Sequence, residues 1–374
     1  MIKKREMRIV VIGPYYPYRG GISDTNQELC ETLKKLGHSV EVITFKLQYP
    51  SLLFPGKTQY YNKESNQKIK SKRIINSINP FNWINTSRSI NDLNPELVIS
   101  SYWTSFLAPC LFFINRGLNK KIQKIGLIHN TYPHEEDFLQ KDLFKLYLRS
   151  IDKYVTLSKN VFDQIKKITK FKKGISLFHP VPKKFGKPIK KEIALKQIGL
   201  KKGYKYLLFF GLIRKYKGLE ILIQSMNEII KEKKDIKLLI VGENYESTEK
   251  YKKMISQNNL NNNISLINKF IPEDEIKYWF SSSELIIQPY KKASQSGVTP
   301  LAFKFEIPTV CTNIGGLSEY ISNKKDGFLC EPNSKDLAKN ILLALNSDLN
   351  LIKKEIKNKK EKLTWDHFIS KLLK

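Results

Sequence analysis

The stretch Leu207–Ile223 reads LLFFGLIRKYKGLEILI, and its pattern recurs along the chain. The first apolar run ends at Gly211, the cations Arg214, Lys215 and Lys217 follow, and a second apolar run begins directly after them. This order predicts a buried strand, a short cationic turn and a helix. Unpaired N–H groups and a partial positive charge at a helix N-terminus favour an anion, and the cations would add charge-assisted hydrogen bonds. We therefore predict a phosphate-binding turn, with simple solvated cations as the alternative.

Strands, turns and helices alternate in the same way through both halves of the chain. Short apolar runs lead into polar turns and then, in most cases, into helices; examples are RIVVI at 8–12, LVISSY at 97–102, KLLIV at 237–241 and LIIQPY at 285–290. Such alternation predicts parallel sheets covered on both faces. The expected fold class is α/β, with two Rossmann-like doubly wound domains facing each other across a cleft. In such sheets ligands bind at the carboxyl ends of the strands.

The domain boundaries follow from one Pro- and Lys-rich segment at 179–192, which is the predicted linker. We expect an N-terminal domain over 1–186, a C-terminal domain over 187–360, and a last helix over 361–374 that packs back on the N-terminal domain. A Thr25–Glu28 capping box is expected near the start of the first helix.

Composition limits the class of protein. The 374 residues suffice for two domains, and the four scattered cysteines suggest neither disulfides nor a zinc site. The longest apolar segment, 106–114, is less than half the roughly 20 residues of a spanning helix. The first apolar run is too short for a signal peptide, so we expect a cytoplasmic protein without a membrane span.

The formal net charge of +30 is concentrated in Lys-rich segments at 68–73, 119–124, 183–191 and 353–362. A surface of this kind attracts polyanions, meaning nucleic acid, an anionic membrane or phosphate-bearing substrates. A Lys-, Asn- and Ile-biased proteome would give the same charge. No helix-turn-helix, zinc finger or aromatic RNA-binding pattern is present, so nucleic acid is not an expected partner.

A second glycine-rich turn follows the first predicted strand. Gly20 and Gly21 lie within PYYPYRGGIS at 14–23, where the missing Cβ atoms let a backbone approach a ligand closely. Neither a GxGxxG dinucleotide fingerprint nor a GxxxxGK[ST] P-loop occurs. We expect this turn to face the cationic turn across the cleft.

Taken in order, these motifs resemble the GT-B glycosyltransferases of glycosyltransferase family four over nearly the whole chain. The residues that carry the resemblance are PYYPYRGGIS at 14–23, HNTYPHE at 129–135, LFHPVP at 177–182, FFGLIRKYKGLEILI at 209–223, LLIVGE at 238–243, SQSGVTPLAFKFEIPTVCTNIGGLSEYI at 294–321, DGFLCEPN at 326–333 and the helix bearing Trp365. Their order and spacing together are more specific than any one of them. The resemblance implies an enzyme with its acceptor side in the N-terminal domain and its donor side in the C-terminal domain.

The resemblance also implies a reaction and a set of roles. Family members transfer a sugar from a nucleotide-sugar donor, here expected to be a UDP- or GDP-sugar, with retention and without a metal or other cofactor. Arg214 and Lys217 would hold the donor diphosphate and stabilise its growing charge, and His129 would reach the donor sugar. The remaining donor-side residues would be Gly20, Gly21, Gly211, Phe270, Ile271, Gln295, Ser296, Gly297 and Val298, with Phe270 and Ile271 near the nucleobase.

Two departures from the family pattern bear on the donor. The usual Gly-Arg pair is Gly211-Leu212 here, so Arg214 would take over the phosphate contact two positions later. The usual glutamates fall on Ala293 and Leu301. The QSG turn at 295–297, opening a helix with Ser296 as a cap, would be an alternative donor site. A catalytically silent GT-B protein that binds nucleotide, sugar or a partner stays open as a second interpretation.

The acceptor side is less defined. Tyr18, His134 and Glu135 are candidate acceptor or sugar contacts, with loop packing as the alternative for each. The acceptor is expected to be a glycan or a lipid-linked sugar in polysaccharide or glycoconjugate biosynthesis. Because the basic segments 68–73 and 119–124 lie in the N-terminal half, we also expect peripheral association with an anionic inner membrane face.

Overall fold

The computed structural model describes residues 5–50, 58–61, 69–131, 138–169 and 172–374, and all structural statements below concern these residues. The chain divides into two compact units, Met1–Phe178 with Trp365–Lys374, and His179–Thr364. Each unit is built around one parallel sheet.

The sheet of the first unit has the strand order β3-β2-β1-β4-β5-β6-β7. Its strands are β1 (Arg8–Ile12), β2 (Ser39–Leu47), β3 (Ser71–Asn76), β4 (Leu97–Tyr102), β5 (Gln123–Ile128), β6 (Lys153–Thr156) and β7 (Lys173–Ser176). Its helices, before the end of the chain, are α1 (Gly21–Lys35), α2 (Pro80–Asp92), α3 (Ala108–Arg116), α4 (Phe138–Leu148) and α5 (Lys159–Ile168). The chain reverses its direction across the sheet between β1 and β4, which is the topological switch point where ligands bind in such folds.

Helices cover both faces of this sheet, as the sequence of β1 requires. Val10 and Ile12 belong to one core cluster, and Ile9 and Val11 belong to the cluster on the opposite face. Because successive side chains of a strand point to opposite faces, an unbroken apolar run can be buried only between two helical layers.

The second unit repeats this topology, with the strand order β10-β9-β8-β11-β12-β13. Its strands are β8 (Lys205–Phe210), β9 (Ile236–Val241), β10 (Ile264–Ile267), β11 (Leu285–Gln288), β12 (Thr309–Thr312) and β13 (Gly327–Cys330). Its helices are α6 (Lys191–Gln197), α7 (Leu219–Glu232), α8 (Thr248–Gln257), α9 (Ile276–Ser281), α10 (Val298–Lys304), α11 (Ser334–Asn346) and α12 (Leu349–Lys360). Its switch point lies between β8 and β11. The predicted α/β class with two doubly wound sheets is confirmed.

The last helix, α13 (Trp365–Leu372), returns to the first unit and packs on α1. Trp365 is buried, and its indole Nε1 donates a hydrogen bond of 2.5 Å to Glu28 Oε2 on α1. The side chains of Phe368, Ile369 and Leu372 fill the same core cluster. Helix α13 thereby becomes part of the hydrophobic core of the first unit.

We expect Trp365→Phe to lower the free energy of unfolding by about 1–3 kcal/mol, because the buried Glu28 carboxylate loses its indole donor. Denaturant unfolding followed by circular dichroism measures this change. Glu28→Gln is the matched control: its amide oxygen can still accept from the indole, so a smaller loss is expected. An equal loss in both variants would contradict the assigned role of the hydrogen bond.

The sequence patterns did not predict three of the strands, and the predicted capping box of the first helix was wrong. The strands β3, β7 and β13 border their sheets, and in β3 only Ile75 is buried, so the pattern around 68–73 looked like a solvated basic segment. The capping box was wrong, because α1 begins at Gly21 and Thr25 lies inside it, donating from Oγ1 to the Gly21 carbonyl. Glu28 is held by the C-terminal helix, which is remote in sequence.

Of the helices in the described ranges, none combines the length and the apolar character needed to span a bilayer.

Candidate functional site

The candidate site of the second unit lies at its switch point, where the carboxyl ends of β8 and β11 lead into two neighbouring loops. Gly211 follows β8 with φ at +97°, a conformation that other residues adopt at a cost. A Cβ at this position would lie 3.2 Å from Lys217 Nζ and 4.0 Å from Val298 Cγ2. Three residues predicted to bind the donor therefore meet at one point, and the absent side chain of Gly211 leaves room for the Lys217 ammonium group.

Lys217 is the buried cation of this turn, only 7% exposed. Its Nζ lies 5.4 Å from the centre of the Tyr290 ring. Within the described ranges the structure records no hydrogen-bond acceptor and no carboxylate for this ammonium group. Burial, and to a smaller extent the charge of Arg214, lower the pKa of Lys217 to about 7. A buried cation without a counter-charge is an arrangement that an arriving anion would stabilise.

Arg214 lies just before the 3-10 turn Lys215–Lys217 and is half-buried. Its guanidinium carbon lies 5.0 Å from the centre of the Tyr245 ring, so an aromatic face holds the side chain beside the turn. Lys215 of the same turn is exposed. The turn thus carries the buried Lys217, the half-buried Arg214 that packs on an aromatic ring, and the solvent-exposed Lys215.

Gln288, the buried last residue of β11, holds the QSG loop through a hydrogen bond to Ser296. Ser296 Oγ donates to Gln288 Oε1 at 2.8 Å, and Gln288 Nε2 donates to Thr299 Oγ1 at 2.9 Å. Ser296 Oγ also accepts from the backbone N–H of Val298 at 3.2 Å. The neighbouring Gln295 is half-buried, and its Oε1 has no hydrogen-bond partner within the described ranges. The Ser296 hydroxyl therefore holds the loop in place, whereas the Gln295 side chain is not fixed by a hydrogen bond at its oxygen within the described ranges.

His179 is a site residue that the sequence prediction did not assign. It begins the second unit, its backbone N–H donates to the Tyr320 hydroxyl at 2.6 Å, and burial lowers the pKa of its imidazole. A Cβ on Gly297 would lie 3.6 Å from His179 Nε2, so the imidazole packs against the glycine of the QSG loop. The LFHPVP segment was part of the recognised pattern, yet its spacing from residue 297 in sequence gave no sign of this contact.

Both positions of the missing glutamates are buried and apolar. Ala293 and Leu301 are each 6% exposed, and Leu301 belongs to the hydrophobic core of the unit. The carbonyl of Ala293 accepts from the backbone N–H of Gly316 at 3.1 Å. No carboxylate is supplied from either position.

The segment predicted near the nucleobase follows β10 at the same edge of the sheet. Ile271 is buried in the core, whereas Phe270 is half-buried. The cavity beside this segment has a volume of about 430 Å³ and is lined by Gln197, Ile198, Ile267, Lys269, Glu275, Tyr278 and Trp279. The cavity reaches Lys269, directly before Phe270, whereas Phe270 and Ile271 do not line it.

The first unit places its predicted residues at the carboxyl ends of its own strands. Gly20 precedes α1 with φ at +113°, Gly21 is the first residue of that helix, and a Cβ on either would have open space around it. His129 follows β5, is 2% exposed, and its backbone N–H donates to the Tyr102 carbonyl at 2.8 Å. These residues keep the roles predicted for them as expectations.

The structure describes only one of the three candidate acceptor contacts, Tyr18, and buries its side chain. Tyr18 is 1% exposed, and its ring packs against Phe45 and Tyr60, so its side chain belongs to the core of the first unit. His134 and Glu135 lie outside the described residues.

Gly218→Ala is expected to destabilise the second unit more than Gly203→Ala. Both glycines have positive φ, at +63° and +85°, so both substitutions carry backbone strain. A Cβ at 218 would lie 2.1 Å from the Pro289 carbonyl oxygen, whereas a Cβ at 203 meets nothing within 4 Å. We expect the difference in unfolding free energy to be about 1–3 kcal/mol, measured by thermal or denaturant unfolding. Equal losses would show that the loops after β8 and β11 are less tightly packed than described.

Two family models match the chain. Residues 190–362 match the model described as Glycosyl transferases group 1, and residues 19–179 match the model described as Glycosyltransferase Family 4. An uncharacterized glycosyltransferase of Haemophilus influenzae is 23% identical over 95% of this chain and 94% of its own length. The N-acetyl-alpha-D-glucosaminyl L-malate synthase of Bacillus anthracis is 21% identical over 84% of this chain and 82% of its own length.

The fold also has close counterparts among solved structures. The Anabaena protein Alr3699/HepE, in complex with UDP and glucose, superposes with a TM-score of 0.76 at 12% identity, covering 98% of this chain and 99% of its own. A glycosyltransferase from Rickettsia africae superposes with a TM-score of 0.76 at 20% identity, covering 99% and 97%. Together with the two family matches, which span both units, these similarities place the chain among the GT-B glycosyltransferases of group 1 and family four.

Proposed function

We propose that this protein is a retaining, metal-independent glycosyltransferase that moves a sugar from a UDP- or GDP-sugar to a glycan or lipid-linked acceptor. The observation that carries the proposal is Lys217, a buried ammonium group that lies against Gly211 and for which the described residues supply no counter-charge. The diphosphate of the donor would supply that counter-charge. The Anabaena structure contains UDP and glucose, which favours UDP as the nucleotide.

The reaction requires one bond to break and one to form at the anomeric carbon. The bond from this carbon to the diphosphate oxygen breaks, and the acceptor hydroxyl oxygen bonds to the carbon on the same face. The hydroxyl proton leaves with the nucleoside diphosphate. Lys217 and Arg214 would stabilise the negative charge that grows on the leaving oxygen, which is where fixed cations contribute most to rate. Gly211 would admit the phosphate close to the backbone.

Residues of the QSG loop would orient the donor sugar in place of the usual carboxylates. The Gln295 Oε1 accepts no hydrogen bond from the described residues, and Gln288 holds the loop through Ser296. His179 lies against Gly297 at the same loop. We assign Gln295 and His179 as candidate contacts to the sugar, and Ser296 as a residue that positions the loop.

A catalytically silent protein is the second candidate, because Ala293 and Leu301 supply no carboxylate. The enzyme and a silent protein that binds nucleotide both predict nucleotide binding, and only the enzyme predicts transfer or slow hydrolysis of the donor.

Thermal stabilisation by a panel of nucleotides and nucleotide sugars tests whether the protein binds a nucleotide. One nucleoside diphosphate is expected to raise the melting temperature of the wild type and to have no effect on Arg214→Ala/Lys217→Ala. Release of nucleoside diphosphate from the matching nucleotide sugar then separates enzyme from silent protein. No stabilisation by any nucleotide would overturn the enzyme and the nucleotide-binding form of the silent protein, and would leave a silent protein that binds a sugar or a partner.

A further inference from the structure

The two loops at the switch point of the second unit are joined through the three residues that follow β11. The backbone N–H of Lys291 donates to the Tyr216 carbonyl at 2.7 Å. A Cβ on Gly218 would lie 2.1 Å from the Pro289 carbonyl oxygen, so the two backbones touch at this point. Tyr290, between Pro289 and Lys291, therefore lies beside the cationic turn that follows β8.

The Tyr290 side chain is buried and held on several sides. It is 3% exposed, and the Tyr216 ring meets it edge-on, with ring centres 6.0 Å apart and planes at 90°. Thr312 Oγ1 donates to the Tyr290 carbonyl at 2.6 Å, which ties the backbone to β12. Burial, more than any other cause, raises the pKa of Tyr290, so the phenol stays neutral between pH 5 and 9. The ring is thus a fixed and uncharged surface.

The Lys217 ammonium group lies over the face of this ring, 5.4 Å from its centre. A ring face carries partial negative charge and attracts a cation, most strongly where water is excluded. Lys217 is buried, and the described residues supply no carboxylate for its Nζ. An aliphatic side chain at position 290 would exclude water as well as the ring does but would not attract the cation. Relative to such a side chain, the ring favours the charged form of Lys217.

Arg214, the second cation at this turn, has the same kind of partner. Its guanidinium carbon lies 5.0 Å from the centre of the Tyr245 ring, and no carboxylate of the described residues pairs with it. A carboxylate would neutralise either cation and would repel an arriving diphosphate. A ring face holds the cation and leaves N–H donors for an anion. The site therefore holds both cations without cancelling their charge.

We propose that Tyr290 is a positioning residue of the donor site: the face of its ring holds the Lys217 ammonium group in place and favours its charged form, without a negative charge that would repel the donor diphosphate. This role rests on the proposed transfer reaction, which supplies the diphosphate. The contact between ring and ammonium group does not depend on that reaction, because it exists in the nucleotide-free protein and can be measured there.

A double-mutant cycle on the unfolding equilibrium of the nucleotide-free protein measures this contact. The cycle combines Lys217→Met with Tyr290→Leu, which keeps an apolar side chain and removes the ring. Burial lowers the pKa of Lys217 to about 7, so the side chain is charged at pH 5 and neutral at pH 9. We expect the two substitutions to be coupled by about tenfold in the unfolding constant at pH 5, and the coupling to disappear at pH 9. No coupling at pH 5, or equal coupling at both pH values, would overturn the proposal.

The cycle removes the effects of other titrating groups near Lys217, because an effect that does not depend on both substituted residues cancels. The charged and titratable neighbours on the joined loops are Arg214, Lys215, Tyr216 and Lys291, together with Glu220 of α7, the ion-pair partner of Lys291.

Two further cycles with Lys217→Met are the matched controls. Tyr290→Phe keeps the ring face and should show little coupling at either pH. Tyr206→Leu removes a similarly buried ring, 4% exposed, from the core of the same unit and should also be uncoupled. Coupling as large for Tyr290→Phe as for Tyr290→Leu would assign the effect to the hydroxyl and would overturn the role of the ring face. Tyr290→Met, which fills more of the volume of the ring, replaces Tyr290→Leu if that variant does not fold, with the same expected coupling.

Calorimetric binding of UDP connects the contact to the donor. Loss of the ring should lower the pKa of Lys217 by about one unit, the equivalent of a tenfold coupling. Tyr290→Leu should therefore bind UDP up to about tenfold more weakly than the wild type between pH 7 and 9, and within about twofold at pH 6. Tyr290→Phe should follow the wild type at every pH.

The outcomes separate this proposal from the proposed function. An equal loss of UDP affinity at every pH in Tyr290→Leu would show that the ring only shapes the site, and would overturn its action through Lys217. A wild type that binds neither UDP nor GDP would overturn the proposed function and the role of Tyr290 at a donor, whereas the coupling at pH 5 would still be present. Coupling confined to low pH, together with the pH-dependent loss of UDP affinity, would support the proposal.

Discussion

Lys217→Ala is expected to lower kcat/KM for sugar transfer by about 10²–10³ while the fold is kept. The reason is that Lys217 is buried and its Nζ lies against Gly211, where the leaving diphosphate would be bound. A cation fixed in a water-poor site stabilises a growing negative charge far more than a solvated cation does. Initial-rate measurements of nucleoside diphosphate release quantify the loss.

The same turn provides the matched control. Lys215 is exposed, two residues before Lys217, and Lys215→Ala removes the same charge from the same turn. Near wild-type activity is expected for this variant, because solvent screens the side chain. A comparable loss in both variants would show that only the overall charge of the turn matters and would refute the assigned role of Lys217.

Stability should change in the opposite direction from activity at this position. Lys217→Met keeps much of the side-chain volume and removes a buried cation for which the described part of the chain provides no counter-charge. In the absence of nucleotide we expect the variant to unfold at the same or a higher temperature than the wild type. It should also lose the stabilisation by nucleoside diphosphate, so that binding and stability are separated in one protein.

Donor binding is expected to weaken as pH rises above 7, by up to about tenfold per pH unit until the raised pKa of the complex is reached. In the nucleotide-free protein, burial and then Arg214 lower the pKa of Lys217 to about 7. A bound diphosphate favours the ammonium form and raises this pKa. Binding between these two values therefore takes up a proton.

Calorimetry in buffers with different ionisation enthalpies measures that proton uptake directly. Lys217→Met controls for ionisation of the nucleotide itself and should show a smaller uptake. If wild type and variant take up the same number of protons, Lys217 is not the group that titrates.

The free energy of unfolding of the nucleotide-free protein should also depend on pH through the lowered pKa of Lys217. In the unfolded chain Lys217 keeps its proton up to about its ordinary pKa of 10.5, whereas the folded protein releases it near 7. The unfolded state binds more protons in this window, so the stability of the wild type relative to Lys217→Met should rise with pH between these values.

The sequence alone predicted the central strands, because burial on both faces of the sheet makes each of them a continuous run of apolar residues. The strands β1, β4, β8 and β11 are nearly continuous apolar runs because helices cover both sides of each sheet, and such runs are visible without any knowledge of contacts. Gly211 and the cations of the turn after β8 could be recognised for a similar reason, because they are neighbours along the chain. Two α/β units and a cationic turn between β8 and α7 could therefore be predicted, and the phosphate-binding role of that turn stays a prediction.

Only the tertiary structure decided which of those residues meet. Edge strands such as β3 are protected on fewer sides, so their composition resembles that of a loop. Glu28 contacts Trp365 across 337 positions, and His179 lies against Gly297. The burial that lowers the pKa of Lys217 comes from residues such as Tyr290, far along the chain. Sequence patterns report the burial and turns of neighbouring residues, whereas desolvation and long-range contacts depend on how separate elements pack, and these determine the chemistry of the site.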